Sequence, residues 1–185
     1  MAHNGLILGR SQYGKSSLAK ALAIAFKAAG RRVLVYDILD DNWAGASVVV
    51  SNKEEFLNIF WNSFDIIAFI EEGGEVANRR EKEIAFTSTR GRHQIGDQGF
   101  GNSCYYSTHR LNQLDVTLRA QCPELYLFAS RHDDARDLVQ EYGQPRLIEA
   151  PALPPGVFFH VLPGEDLKKY KIDFATLKIE RIYEK

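Results

Sequence analysis

Eight consecutive residues, Gly9-Arg10-Ser11-Gln12-Tyr13-Gly14-Lys15-Ser16, fill the pattern G-x-x-x-x-G-K-[ST] completely. Gly9 and Gly14 permit backbone conformations that turn successive N–H groups toward one point. A helix beginning near Lys15 directs its positive dipole end at the same place. Lys15 supplies a mobile charge for β- and γ-phosphates, the Ser16 hydroxyl suits Mg²⁺, and Ser17 suits an α-phosphate. The stretch reads as a nucleotide-phosphate cradle, with ATP and Mg²⁺ as the implied ligands. The bland alternative is a chance glycine turn, and at ordinary glycine usage a full match arises in a chain of this length about once in a hundred.

Hydrolysis needs a second, acidic element: one carboxylate toward the Mg²⁺ and a group that polarises water. The apolar run Ile66-Ile67-Ala68-Phe69-Ile70 ends in Glu71-Glu72, which puts both acids at the carboxyl end of a buried strand, where open α/β sheets bind ligands. Glu71 then reads as the metal-side acid and Glu72 as the base. Two solvated glutamates opening a loop is the competing reading, and the phosphate loop favours the catalytic one. Glu71 stands where Asp is more usual, which carries its carboxylate one methylene further out.

These residues need a scaffold that brings several strand ends together. Residues 6–8 read as a short buried strand, residues 18–26 as a helix stopped at Gly30, and residues 32–36 as a second strand running into Asp37. Residues 46–50 suggest a short strand. Ser51 with Glu54 forms a capping-box pattern before the next helix. Residues 65–70 read as a strand, 79–90 as a polar helix, 91–102 as a glycine-rich flexible loop, and 104–107 as a strand. A helix over 111–120, a strand over 125–128 and a helix over 133–142 closed by Gly143 complete the alternation. The pattern predicts an α/β fold with a mostly parallel sheet covered by helices. The tail differs: residues 145–155 carry four of the six prolines, and residues 157–161 and 171–182 look like strands of a terminal hairpin. The chain therefore reads as one domain over 1–185, with a core of about 5–143 and a short C-terminal β appendage over about 144–185.

Composition narrows the classes further. The 185 residues are 45% hydrophobic and 25% charged, with a net charge of -1, so a generally basic nucleic-acid coat is excluded and any polyanion contact must be local. Cys104 and Cys122 have no neighbouring Cys or metal-spaced His, which argues against a disulfide framework or zinc site. No apolar run approaches the roughly 20 residues of a membrane span, and the start lacks a secretory pattern, so the expectation is a soluble cytoplasmic protein.

Beyond the acidic strand, Ser107-Thr108-His109-Arg110, Asp115, Leu118-Arg119-Ala120, Pro123, and Ser130 with Asp134 and Arg136 resemble the text that follows the acidic strand in the FtsK–HerA superfamily of DNA-pumping P-loop ATPases. Arg90-Gly91-Arg92-His93 resembles the basic turn before that region, and Val35-Tyr36-Asp37 the usual second-strand end. The resemblance covers roughly residues 5–143. It implies the additional-strand, RecA-like class, and its small size is most similar to the genome-packaging ATPases of tailless icosahedral viruses with an internal membrane. It further implies double-stranded DNA as partner, a homo-oligomeric ring (commonly a hexamer) and docking to capsid or membrane vertex proteins. The expected location is the host cytoplasm or a packaging vertex of the virion.

By the same resemblance His109 takes the position of the sensor Gln, and Leu111 stands where Pro is usual. A His satisfied at a strand end is the plain alternative. A ring of this type needs an arginine finger in trans; Arg92 is the first candidate, then Arg90, Arg110 and Arg119. Arg79, Arg80, Lys82, Arg90 and Arg92 form the notable basic run, which faces either DNA phosphates or solvent. Rival readings are another DNA-transfer motor of the same superfamily, a small-molecule kinase, for which no acceptor site or lid is visible, and a non-hydrolysing assembly or partition module.

Overall fold

The computed structural model describes residues 3–39, 41–72 and 82–183. In chain order these residues form β1 (Gly5–Leu8), α1 (Lys15–Ala28), β2 (Arg32–Tyr36), β3 (Val48–Val50), α2 (Lys53–Trp61), β4 (Ile66–Ile70) and α3 (Lys82–Arg90). There follow β5 (Ser103–Thr108), α4 (Val116–Ala120), β6 (Glu124–Leu127), α5 (His132–Tyr142), β7 (Val157–Val161), β8 (Lys168–Ile172) and β9 (Ile179–Ile182). The strands make one sheet in the order β3-β2-β4-β5-β1-β6-β7-β8-β9. Pairing is parallel from β3 through β6 and antiparallel from β6 through β9. β5 stands between the phosphate-loop strand β1 and the acidic strand β4, the insertion from which the additional-strand class takes its name.

Central strands covered on both faces are apolar unless a buried polar group is hydrogen-bonded, and β1, β4 and β6 are buried along their whole length. Successive residues feed two layers. Leu6 and Leu8 join Phe56, Phe60, Tyr106 and Leu138 on one face, while Ile7 joins Leu18, Val33, Trp43, Phe69 and Phe128 on the other. α1 covers the second face, and α2 to α5 contribute to the first.

Several expectations shift in detail. α2 is capped by Asn52, whose side chain accepts from Glu55 N at 3.0 Å, rather than by Ser51. The expected helix over 111–120 is broken, because Asp115 adopts an extended conformation and caps a new start by accepting from Thr117 N at 2.8 Å. Residues 91–102 are ordered around Asp65. Its carboxylate accepts from the backbone amides of Gln98, Gly99, Phe100 and Gly101 at 2.7–3.2 Å. Burial raises the Asp65 pKa, but the amide hydrogen bonds outweigh it and hold the carboxyl below its ordinary value.

The tail forms three strands rather than a hairpin, and β7 pairs directly with β6. The sheet thus runs without a break from residues 5–143 into the region read as an appendage. It also touches the front of the molecule: Gly156 N donates to Tyr13 O at 3.0 Å. Cys104 and Cys122 are free and buried. Among the described residues no helix is long and apolar enough to cross a membrane.

Candidate nucleotide site

β1, β4, β5 and β6 are parallel, so Gly9, Glu71, His109 and Phe128 all follow strand ends at one edge of the sheet. The phosphate loop is fixed there by backbone bonds. Gly9 N donates to Thr108 O at 3.3 Å, Arg10 N donates to Ala129 O at 2.8 Å, and Leu18 N donates to Gly14 O at 2.9 Å as α1 begins. A Cβ on Gly9 would lie 2.6 Å from Phe128 Cβ. Gly14 has φ 108 and ψ 11, a left-handed conformation that a side chain would strain. The eight residues from Gly9 to Ser16 therefore have the strand–loop–helix setting that their sequence pattern requires.

Lys15 is buried, and its Nζ donates to Arg10 O at 3.2 Å and to His109 Nδ1 at 2.9 Å. His109 Nε2 lies 2.9 Å from Glu72 Oε1. An ammonium only donates and a carboxylate only accepts, so the hydrogen-bond pattern assigns His109 as neutral, with Nδ1 accepting and Nε2–H donating. Burial lowers the Lys15 pKa, and the charges of Glu72 and Glu71 only partly offset this. Glu72 sits at φ 50, a left-handed conformation that costs a non-glycine residue about 1 kcal/mol. The imidazole thus joins the phosphate-loop lysine to the expected base.

Glu71 extends β4, its N donating to Tyr36 O at 3.0 Å, and it is buried. Ser16 Oγ donates to Glu71 Oε2 at 3.3 Å. Oε1 and the neighbouring Ser107 Oγ are buried and make no hydrogen bond of normal geometry. Burial pushes the Glu71 carboxyl up to about 7, helped by the charges of Asp37 and Glu72, while Ser107 and Lys15 pull it down. Orphaned buried oxygens beside a serine hydroxyl suit a hard cation. Ser16 Oγ and the Glu71 carboxylate fit Mg²⁺, which takes one or two protein oxygens and fills the rest of its shell with water and ligand oxygens. Asp37 contributes charge but is committed elsewhere, accepting from Trp43 Nε1 at 2.9 Å and Leu39 N at 3.0 Å.

The arginines divide by location. Arg110 Nε donates to Asp134 Oδ2 at 2.9 Å and its Nη2 to Asp133 Oδ2 at 3.0 Å, so it clamps the start of α5. Burial raises the Asp134 pKa and the Arg110 charge opposes it. Arg119 pairs with Glu141 at 3.0 Å. Arg90 and Arg92 are exposed, and Arg90 lies over the Phe86 ring at 4.7 Å. Their turn bonds to the strand starts, through Asp65 N to Gln94 O and Asn102 N to Gly91 O. That edge lies one strand length, about 17 Å, from the phosphate loop. Arg79 and Arg80 lie outside the described residues.

Spacing within the tail gives no sign that Phe174 belongs to this site. It lines the same cleft, of about 340 Å³, as Ser11, Gly14, Lys15, Ser17 and His109. The link depends on β8 and β9 continuing the sheet past β6, which only the pairing reveals.

Together the inserted β5, the loop between β1 and α1 and the acidic end of β4 define a P-loop NTPase fold of the additional-strand class. No protein-family model matches the chain, and no curated protein does. Solved structures do. The genome packaging NTPase B204 from Sulfolobus turreted icosahedral virus 2, in complex with sulfate, is 16% identical with a TM-score of 0.71, over 91% of this chain and 95% of that one. The DNA-packaging ATPase B204 from Sulfolobus turreted icosahedral virus is 17% identical with a TM-score of 0.68, over 97% and 96%. The pCW3 conjugation coupling protein TcpA is 14% identical with a TM-score of 0.65, over 92% of this chain and 60% of that one. At these identities the likeness is one of fold.

Proposed function

We propose that this chain is a Mg²⁺-dependent ATPase and the motor core of a ring that drives double-stranded DNA, most specifically a viral genome into a capsid. The observation that carries the reading is the joining of Lys15, His109 and Glu72 at the ends of three adjacent loops and strands, beside the buried Ser16–Glu71 pair. A phosphate-binding protein without turnover has no need of a carboxylate wired through an imidazole to its phosphate lysine. The fold is shared with packaging ATPases over nearly the whole chain, and B204 has been solved with ATPγS and with AMPPCP. Both findings support the reading.

Ser16 and Glu71 would hold Mg²⁺, which when bound would supply charge neutralisation for phosphoryl transfer. Lys15 leaves His109 and Arg10 O for the phosphates, where its charge balances the developing negative charge. The N–H groups of residues 10–16 and the amino end of α1 hold the phosphate chain. Glu72 accepts the proton of the attacking water as that water bonds to the γ-phosphorus and the bond to the β,γ-bridging oxygen breaks, releasing ADP and phosphate, and His109 Nε2–H keeps the carboxylate oriented. Released from Lys15, His109 Nδ1 becomes available to the water or, once protonated, to the γ-phosphate. An arginine on the strand-start edge serves only a neighbouring copy's site, so Arg92, followed by Arg90, acts in trans if the ring sets that edge against the next subunit's phosphate loop. Arg110 and Arg119 hold their own fold.

Glu72→Gln is expected to bind ATP within about threefold of the parent and to lose turnover by about 10²-fold or more. Turnover of the parent, measured with double-stranded, single-stranded and no DNA, should rise with the double strand, and mass in the presence of ATP should show a closed oligomer. Persistent turnover in Glu72→Gln removes the base assignment; indifference to DNA removes the motor.

A further inference from the structure

The cleft at the phosphate loop has one wall that phosphate chemistry does not use. Phe174 is 49% exposed and belongs to neither core layer, although Phe128, which also faces Gly14, is fully buried. Its ring lies directly against the phosphate loop: a Cβ on Gly14 would be 2.7 Å from Phe174 Cε1. Lys15, His109 and Glu72 line the same cleft and are joined to one another, the group that the proposed reading gives to the chemistry of the γ-phosphate.

The ring is presented by a stiff turn. Asp173 Oδ1 accepts from Ala175 N at 3.0 Å, Thr176 N at 2.7 Å and Thr176 Oγ1 at 2.9 Å, and Asp173 N donates to Lys178 O at 3.0 Å. The turn is also tied to the phosphate loop through backbone. Ile172 N donates to Gly156 O at 2.8 Å, and Gly156 N donates to Tyr13 O at 3.0 Å. Gly156, at φ 80, leaves the room: a Cβ there would meet Ile172 O at 3.0 Å and Phe174 Cζ at 3.4 Å. An aromatic face held half-exposed beside a phosphate nest gains nothing from phosphates. It offers a surface for the flat, apolar face of a nucleobase, and such stacking is strong enough to matter in binding.

We propose that Phe174 is the platform on which the purine base stacks, so that the C-terminal strands supply the base half of a site whose phosphate half is residues 9–17. The proposal rests on the reading of this cleft as a nucleotide site. It gives the region after residue 143 a direct part in nucleotide binding.

The test compares affinities for ATP, GTP and inorganic tripolyphosphate, each with Mg²⁺, in the full chain and its variants. Phe174→Ala should weaken ATP and GTP about tenfold each and leave tripolyphosphate within about twofold. Phe174→Tyr should restore both nucleotides, which also guards against a misfolded alanine variant. Phe174→Trp should show fluorescence quenched by ATP and GTP but not by tripolyphosphate. Equal weakening of all three ligands by Phe174→Ala makes Phe174 a support for the phosphate loop and overturns the proposal, as does unchanged ATP affinity. If the parent chain binds neither ATP nor tripolyphosphate, the nucleotide reading itself fails. If it binds both equally, that reading stands and the base platform falls.

Discussion

His109 is caught between a cation and an anion, and that position fixes its state. Lys15 Nζ can only donate, so Nδ1 must carry a lone pair; Glu72 Oε1 accepts, so the proton sits on Nε2. With no nucleotide bound, the lysine and the base are therefore tied to each other through one ring. On the proposed reading phosphates compete for Lys15, and their binding frees Nδ1. Nitrogen-15 spectra of the imidazole should show an unprotonated Nδ1 and a protonated Nε2 in the nucleotide-free protein. The Nδ1 resonance should move on adding the non-hydrolysable analogue AMPPCP and stay in place in Lys15→Ala. Protonation at Nδ1 in the free protein would contradict the bridge. The resemblance placed His109 as a γ-phosphate sensor; the structure adds that its single proton is committed to Glu72, so any donation to phosphate by Nδ1 requires a second one.

At the scale of elements, Asp65 organises what glycine content alone suggests is a loose loop. Four backbone amides point at one carboxylate, Arg31 donates to Asp65 O at 3.1 and 3.3 Å, and the Arg31 guanidinium lies over the Phe100 ring at 4.5 Å. Asp65→Ala removes the shared acceptor, so amides 98–101 should exchange with solvent at least about tenfold faster while those of β1 keep their protection. Unchanged exchange at 98–101 would mean that the loop is held otherwise. The loop shows where sequence legibility ended. Apolar runs such as Ile66 to Ile70 announce strands because burial on both faces demands them, and Gly9 through Ser16 announce a strand–loop–helix turn because its glycine requirements are local. Asp65 and the amides it binds are more than 30 residues apart, and Phe174 meets Gly14 across 160 positions; neither leaves a local pattern. The Ser51 cap missed by one residue because Ser51 and Asn52 are both competent cap residues, and Asn52 is the one that accepts from Glu55 N.

Across the whole molecule the two edges of the sheet carry opposite electrostatics. At the strand ends Glu71 keeps an orphaned oxygen, and burial raises its pKa to about 7. At the strand starts Glu124 is equally buried and fully met: it accepts from His3 at 2.9 Å, Tyr105 at 3.0 Å, Tyr126 at 2.7 Å and His160 at 2.8 Å. These partners lie before β1 and on β5, β6 and β7, so one carboxylate fastens the centre of the sheet and joins the parallel half to the C-terminal strands. Burial raises its pKa, but hydrogen bonds from His160, His3 and Tyr126 outweigh that and bring it down to about 2. A folded pKa below the unfolded one stabilises the fold above the unfolded value and loses that contribution as pH falls through the folded value. The contribution is therefore complete above pH 4.5 and disappears between about 4.5 and 2, and its size at neutral pH is about 3 kcal/mol. Glu124→Gln should lower unfolding free energy at pH 7 by about that amount and flatten the acid limb of the stability curve. Because this edge lies away from the phosphate loop, ATP affinity of the folded variant should match the parent. Chemical denaturation at pH 7, 5 and 3, with ATP titration at pH 7, separates the two effects. An unchanged acid limb would show that Glu124 is not the group that sets it.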